Sequence, residues 1–123
     1  MFIDGIVFVE RKLLFALKHH EAIWLTELIR YEDGHNAELS WDNKPPEKWI
    51  KFTQKTAYQL TGISFQIQIR IVKKLIDIGI LYKKRSEGMK AHNLYKIDHN
   101  RINGYCADIL SKLIMKETKN ENI

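Results

Sequence analysis

Residues 63–80 read ISFQIQIRIVKKLIDIGI, and the fold turns on whether they form a strand or a helix. The first half alternates: Phe65, Ile67, Ile69 and Ile71 are apolar, while Gln66, Gln68 and Arg70 are polar. That is the period-two pattern of a strand. Ser64 before it and Gly79 after it are instead residues that begin and end helices. Length decides between them. The apolar-rich pattern continues to Ile78, longer than a typical strand of a small domain, and the alternation fails across residues 72–76. At about 100° per residue, Ile67, Ile71, Val72, Leu75 and Ile78 share one arc, and Gln66, Arg70, Lys73, Lys74 and Asp77 share the opposite one. The pattern predicts one helix over 64–78, with Gly79 as the left-handed residue past its end. Its β-branched residues cost a few tenths of a kcal/mol each. Burial of the apolar face, at roughly 1.5–3 kcal/mol per large side chain, outweighs that. Gln68 falls inside the apolar arc. A buried amide must find partners, so a hydrogen-bonded core role is expected in preference to a base contact.

Upstream, TQKTAYQLTG predicts a helix over 53–61, with Thr53 as N-cap, Ala57 and Leu60 facing inward and Gly62 as the stop. Downstream, ILYKKR and HNLYKID are β-prone runs around a Gly-containing turn, which predicts a hairpin of 80–85 with 92–97. Ala22, Leu25, Leu28 and Ile29 recur at helical spacing. They predict helices near 10–18 and 20–32, with a kink at His19–His20 and Gly34 closing the region. HNAELSWDNKPPEKW is expected to be a polar loop, because Pro45–Pro46 forbids a helix through it. Residues 2–9 are expected as a short strand or an ordered arm. Ile102, Tyr105, Cys106, Ile109, Leu110, Leu113 and Ile114 recur at the spacing of an amphipathic helix over 100–117. TKNENI, residues 118–123, is a polar tail. The fold class that results is mostly α with a small β-hairpin: a winged helix-turn-helix over 1–98, then a C-terminal amphipathic helix over 99–117.

The 123 residues match one domain, and the net charge of +5 permits binding to a polyanion. Position is more informative than the total. Residues 73–96 hold seven Lys or Arg against Asp77 and Glu87, whereas residues 21–47 are mostly acidic. One cysteine, Cys106, forms no internal disulfide and fits a reducing cytoplasm as a small apolar residue. No apolar run is long enough for a membrane span, and the N-terminus lacks the pattern of a signal peptide.

Helix, glycine turn, helix and basic hairpin, in that order, place the second helix in a DNA major groove. Ser64, Phe65, Gln66, Ile69 and Arg70 at its exposed N-terminal end are the candidate base readers. Gln pairs with adenine and Arg with guanine, while Phe65 or Ile69 meets a thymine methyl. Thr53, Lys55, Lys73, Lys74, Lys83, Lys84, Arg85, Lys90 and His92 are the candidate phosphate contacts. His19, His20, His35, His92 and His99 form no zinc pattern with the single cysteine. Glu32, Asp33, Glu38 and Asp42 are expected to be solvated in a loop. No phosphate loop, nucleophile elbow or Cys–His signature is present, so no metal, cofactor or enzyme activity is expected.

FTQKTAYQLTGISFQIQIRIVKKLIDIGIL followed by NLYKID resembles the winged-helix N-terminal domain of phage and plasmid replication proteins, the replisome organisers and DnaD-like initiators. The likeness covers roughly residues 20–98. Trp49 and Thr53 match the residues that open the first helix of the family's motif, and Thr61, Gly62, Ile63 and Ser64 match its turn. Lys73, Lys74, Leu75, Gly79 and Ile80 match the run that follows. Tyr95, Ile97 and Asp98 match the strand that closes the wing, and EAIWLTELI is similar to the preceding helix. The resemblance implies binding to double-stranded DNA in replication initiation of a phage, plasmid or other mobile element, with replication proteins as further partners. Two other functions suit the same fold. One is a small transcription regulator that dimerises through Ile102, Tyr105, Ile109, Leu110, Leu113 and Ile114, although the same stripe can instead fold back onto the helix near 20–32. The other is a protein-interaction module without DNA binding, favoured by the apolar Phe65, Ile67 and Ile69.

Overall fold

A computed structural model of the chain describes residues 2–3, 6–7, 11–88 and 91–121. Two short strands, β1 (Phe2–Ile3) and β2 (Ile6–Val7), pair antiparallel at the N-terminus. Helices α1 (Arg11–Ala16) and α2 (His19–Trp41) follow. Next come β3 (Ile50–Lys51), α3 (Gln54–Thr61), α4 (Phe65–Asp77), β4 (Leu81–Arg85), β5 (Asn93–Ile97) and α5 (His99–Glu121). The described residues are mostly helical, with one three-stranded antiparallel sheet in the order β3-β5-β4. No helix among them is long and apolar enough to cross a membrane.

The stretch that decides the fold is a helix. Ser64 caps α4 by accepting the Ile67 N–H at 3.4 Å. Gly79 lies past its end at φ +83°, a backbone region that L side chains avoid. Thr53 caps α3 in the same way, accepting the Thr56 N–H at 3.1 Å, and Gly62 ends it at φ +72°. The residues between the two helices make a short turn. The strands after α4 pair as a hairpin from Leu81↔Ile97 to Arg85↔Asn93. The core gathers Trp24, Leu25 and Leu28 of α2, Phe52, Ala57, Ile71, Val72 and Leu75, with Leu81, Tyr95 and Ile97 from the sheet. Trp24 is packed edge-on by Phe52 at 5.5 Å and Tyr95 at 5.6 Å. Burial holds the Tyr95 phenol above its ordinary pKa.

Several expectations are corrected. The chain breaks at residues 17–18 instead of kinking at His19–His20, and the Glu21 carboxylate accepts the Lys18 N–H at 3.2 Å to start α2. Helix α2 then runs through Gly34, where a Cβ would meet open space, so nothing there calls for a stop. The stop is Asn43 at φ +56°. Lys44 N–H returns to the Leu39 carbonyl at 2.9 Å, a closing bond usually made around glycine. Glu32, Asp33 and Glu38 therefore stand on a helix, and Glu32 is buried with His99 Nε2 2.8 Å from its carboxylate. Leu60 is 41% exposed beside α2 instead of facing inward. Strand β3, too short for a periodic signal, adds a third strand by pairing Ile50 with Tyr95.

Helix α5 is not separate from the core of residues 13–97. Helix α5 packs on α1, and Ile102 (3% exposed) and Cys106 belong to the core. Ile102, expected at a dimer interface, is thus consumed within the chain. Tyr105 and Ile109 are half-buried, and Leu110, Leu113 and Ile114 are exposed.

Candidate nucleic-acid interface

Gln68 sets the position of α4. Its Nε2 donates to the Gln54 carbonyl at 3.1 Å and the Ile63 carbonyl at 3.0 Å, and its Oε1 accepts the Trp24 indole N–H at 3.4 Å. One buried amide thereby ties α4 to α2, to the start of α3 and to the turn between α3 and α4. It is unavailable to a ligand.

With Ile71, Val72 and Leu75 buried, α4 turns Gln66, Ile69, Arg70, Lys73 and Lys74 outward. Phe65 is 47% exposed and Ile69 60%. The Phe65 ring meets exposed Tyr58 edge-on at 6.2 Å. The base-reader set is therefore brought together, with one qualification: the Ser64 hydroxyl oxygen is occupied by its cap. The phosphate set is divided. Lys55, Lys73 and Lys74 are exposed on α3 and α4. The Thr53 hydroxyl is engaged by Thr56, both through the cap and through a 2.9 Å bond to the Thr56 hydroxyl. Lys90 lies outside the described residues.

Strand β4 makes the main division. Successive side chains on a strand point to opposite faces. Leu81, Lys83 and Arg85 share the face toward α4, where Lys83 borders a shallow cleft with Gln54, Ile69, Val72 and Asn93. Tyr82 and Lys84 share the other face, where Lys84 Nζ sits 4.2 Å from the Trp49 ring centroid. Lys83 thus extends the α4 surface, and Lys84 does not. Arg85 donates from Nη2 to the Ala91 carbonyl at 3.2 Å. His92 is held in the hairpin turn: its N–H donates to the Ser86 hydroxyl at 3.0 Å, and its carbonyl accepts the Ser86 N–H at 2.9 Å.

Ser86 as the clasp of the turn, and Trp49, Tyr82 and Lys96 as an aromatic and basic group, were not found by sequence reasoning. The alternation within LYKKR, residues 81–85, was the available signal for the second. Among the described residues no group of three or more His, Cys, Asp or Glu is placed to hold a metal ion. No protein-family model, curated protein or solved structure matches the chain.

Proposed function

We propose that the chain binds double-stranded DNA sequence-specifically as a winged helix-turn-helix. In this reading α3 and α4 are the helix-turn-helix and the β4–β5 hairpin is the wing. The observation that carries it is the outward row Gln66, Arg70 and Lys73 on α4, flanked by Ile69, which borders one cleft with Lys83 of the adjacent strand. The 13 residues of α4 make a rod about 20 Å long, which fits a major groove about 12 Å wide. Gln66 and Arg70 supply donors matched to base edges, and the lysines supply phosphate contacts. The biological setting proposed is replication initiation in a phage, plasmid or mobile element, on the strength of the resemblance in residues 20–98.

Selection of bound duplexes from a random pool tests the binding. Arg70→Ala is expected to cost about 1–3 kcal/mol on the selected duplex and to relax preference at one base position. Lys83→Ala should weaken all duplexes alike and lower the salt slope by about one. An unchanged preference in the Arg70 variant would mean that α4 is not the reading element. Sites clustered in origin repeats argue for replication, and sites in promoters for transcription.

The exposed Tyr58, Phe65 and Ile69 support a second reading, a protein-docking surface on the same helix. A chain that selects no duplex, even at low salt, would favour it. Two-fold pairing through Leu110, Leu113 and Ile114 is the companion proposal to DNA binding, since paired copies read inverted half-sites. Sedimentation velocity at tens of micromolar checks it, with a dimer as the expected species and a monomer as the opposing result.

A further inference from the structure

The sheet face turned away from α4 has its own chemistry. Ile50, Leu81, Tyr95 and Ile97 fill the inner face and are buried. The alternate positions, Lys51, Tyr82, Lys84, Leu94 and Lys96, point outward, and Trp49 lies over them from the residue before β3. Lys96 Nζ is 5.4 Å from the Trp49 ring centroid and 4.9 Å from that of Tyr82. The two rings are therefore no more than about 10 Å apart, with a cation between them. Lys84 Nζ stands over Trp49 from the other strand.

This face is held in place. The Asn36 side chain clasps the backbone of Glu47, donating to its carbonyl at 3.2 Å and accepting its N–H at 2.9 Å. That contact, made by the last turns of α2, fixes the segment that delivers Trp49. Among the described residues Lys51, Lys84 and Lys96 make no ion pair. Three carboxylates, Glu32, Glu47 and Asp98, border the face in a cleft shared with Tyr82 and Lys96. None pairs with a lysine of the face: Glu32 lies 2.8 Å from His99 Nε2, Glu47 3.5 Å from His35 Nε2, and Asp98 accepts the Arg101 N–H at 2.9 Å.

Two flat rings separated by an ammonium group match an alternation of base, phosphate and base. A duplex hides the faces of its bases in the stack, whereas a single strand offers them. An acidic peptide would meet the lysines but leave the rings unused. We propose that the outer sheet face binds single-stranded nucleic acid, stacking bases on Trp49 and Tyr82 and pairing phosphates with Lys51, Lys84 and Lys96. The lysines that now lie over the rings swing to the backbone as bases replace them. This surface is independent of the proposed duplex contact, because the two lie on opposite faces of one sheet.

The test is fluorescence anisotropy of a labelled oligothymidine of about 12 nucleotides, titrated with the full chain. Saturable binding that weakens from about 0.05 to 0.2 M salt is expected. Tyr82→Ala and Trp49→Ala should each weaken it about tenfold. The paired substitution Lys84→Gln with Lys96→Gln should reduce the salt dependence, and Arg70→Ala should leave oligothymidine affinity unchanged. An abasic sugar-phosphate strand of equal length should bind at least about tenfold more weakly. Tyr82 is 46% exposed and packs no core, so its substitution keeps the test valid if the Trp49 variant unfolds. The proposal is overturned by no binding to oligothymidine at low salt, by affinity indifferent to both Tyr82→Ala and the lysine pair, or by equal binding of the abasic strand. Equal binding of a polyglutamate peptide also overturns it and assigns the face to an acidic protein segment.

Discussion

Cutting the chain after Asp98 is expected to abolish its cooperative thermal transition. The first half of α5 buries Ile102 and Cys106 and packs Tyr105 against the core, with α1 as its main neighbour. At roughly 1.5–3 kcal/mol per large side chain, losing these contacts and uncovering the side of α1 that α5 packs on costs about 5 kcal/mol. A small domain has only about 5–15 kcal/mol in total. The cut also removes Arg101, whose Nε donates to the Ile78 carbonyl at 2.9 Å and so satisfies the C-terminal end of α4. The element proposed to read DNA is thus held at its far end by α5. Circular dichroism melting of the shortened chain checks this. A sharp transition at the full-length temperature would show that residues 11–98 close without α5.

Gln68→Leu is expected to destabilise the protein by about 3 kcal/mol, although leucine is similar in size and more apolar. The substitution leaves the Trp24 indole N–H and the Ile63 carbonyl without their partner in the core, at about 1–3 kcal/mol each. The Gln54 carbonyl, half-buried, can recover a bond from water. Urea denaturation should show a lower midpoint at unchanged slope. Combining it with Trp24→Phe, which deletes the stranded donor, should cost less than the sum of the two changes. A Gln68→Leu protein within about 0.5 kcal/mol of the original, the range typical of surface changes, would deny Gln68 its role in placing α4.

The region 53–85 was legible because its signals agree. A long apolar arc, two hydroxyl caps and two glycines with left-handed backbones all describe the same helices and turns. Gln68 was legible for a related reason, since a polar residue within a buried arc must be bonded. The reading failed where a signal had more than one physical cause. Gly34 reads as a stop, yet a glycine inside a helix costs only about 1 kcal/mol, and the helix ends at Asn43. Strand β3 has two residues and no period. Helix α5 belongs to the core because a helix cannot cover its own apolar side, and α5 packs on α1 with Ile102 and Cys106 buried. In the candidate site, α4 came out as expected, but the basic run 83–85 was treated as one surface. Its charges were legible as a sum. Their division between two faces follows from alternation, and the partner that holds Lys84, Trp49, comes from 35 positions away in the chain.

The alternation in β4 also bears on which genetic changes this segment can absorb. Lys83 and Arg85 can vary without touching Tyr82 and Lys84, since the pleat keeps the two pairs apart. A single codon inserted or deleted between 81 and 85 acts differently. It shifts the reading of the pleat by one and exchanges the faces of every residue beyond it. Placed directly after Leu81, it would turn Tyr82 and Lys84 toward α4 and Lys83 and Arg85 toward Trp49, at once and without any residue being replaced. Substitution can therefore drift on either side of this strand separately, while its length is bound by both.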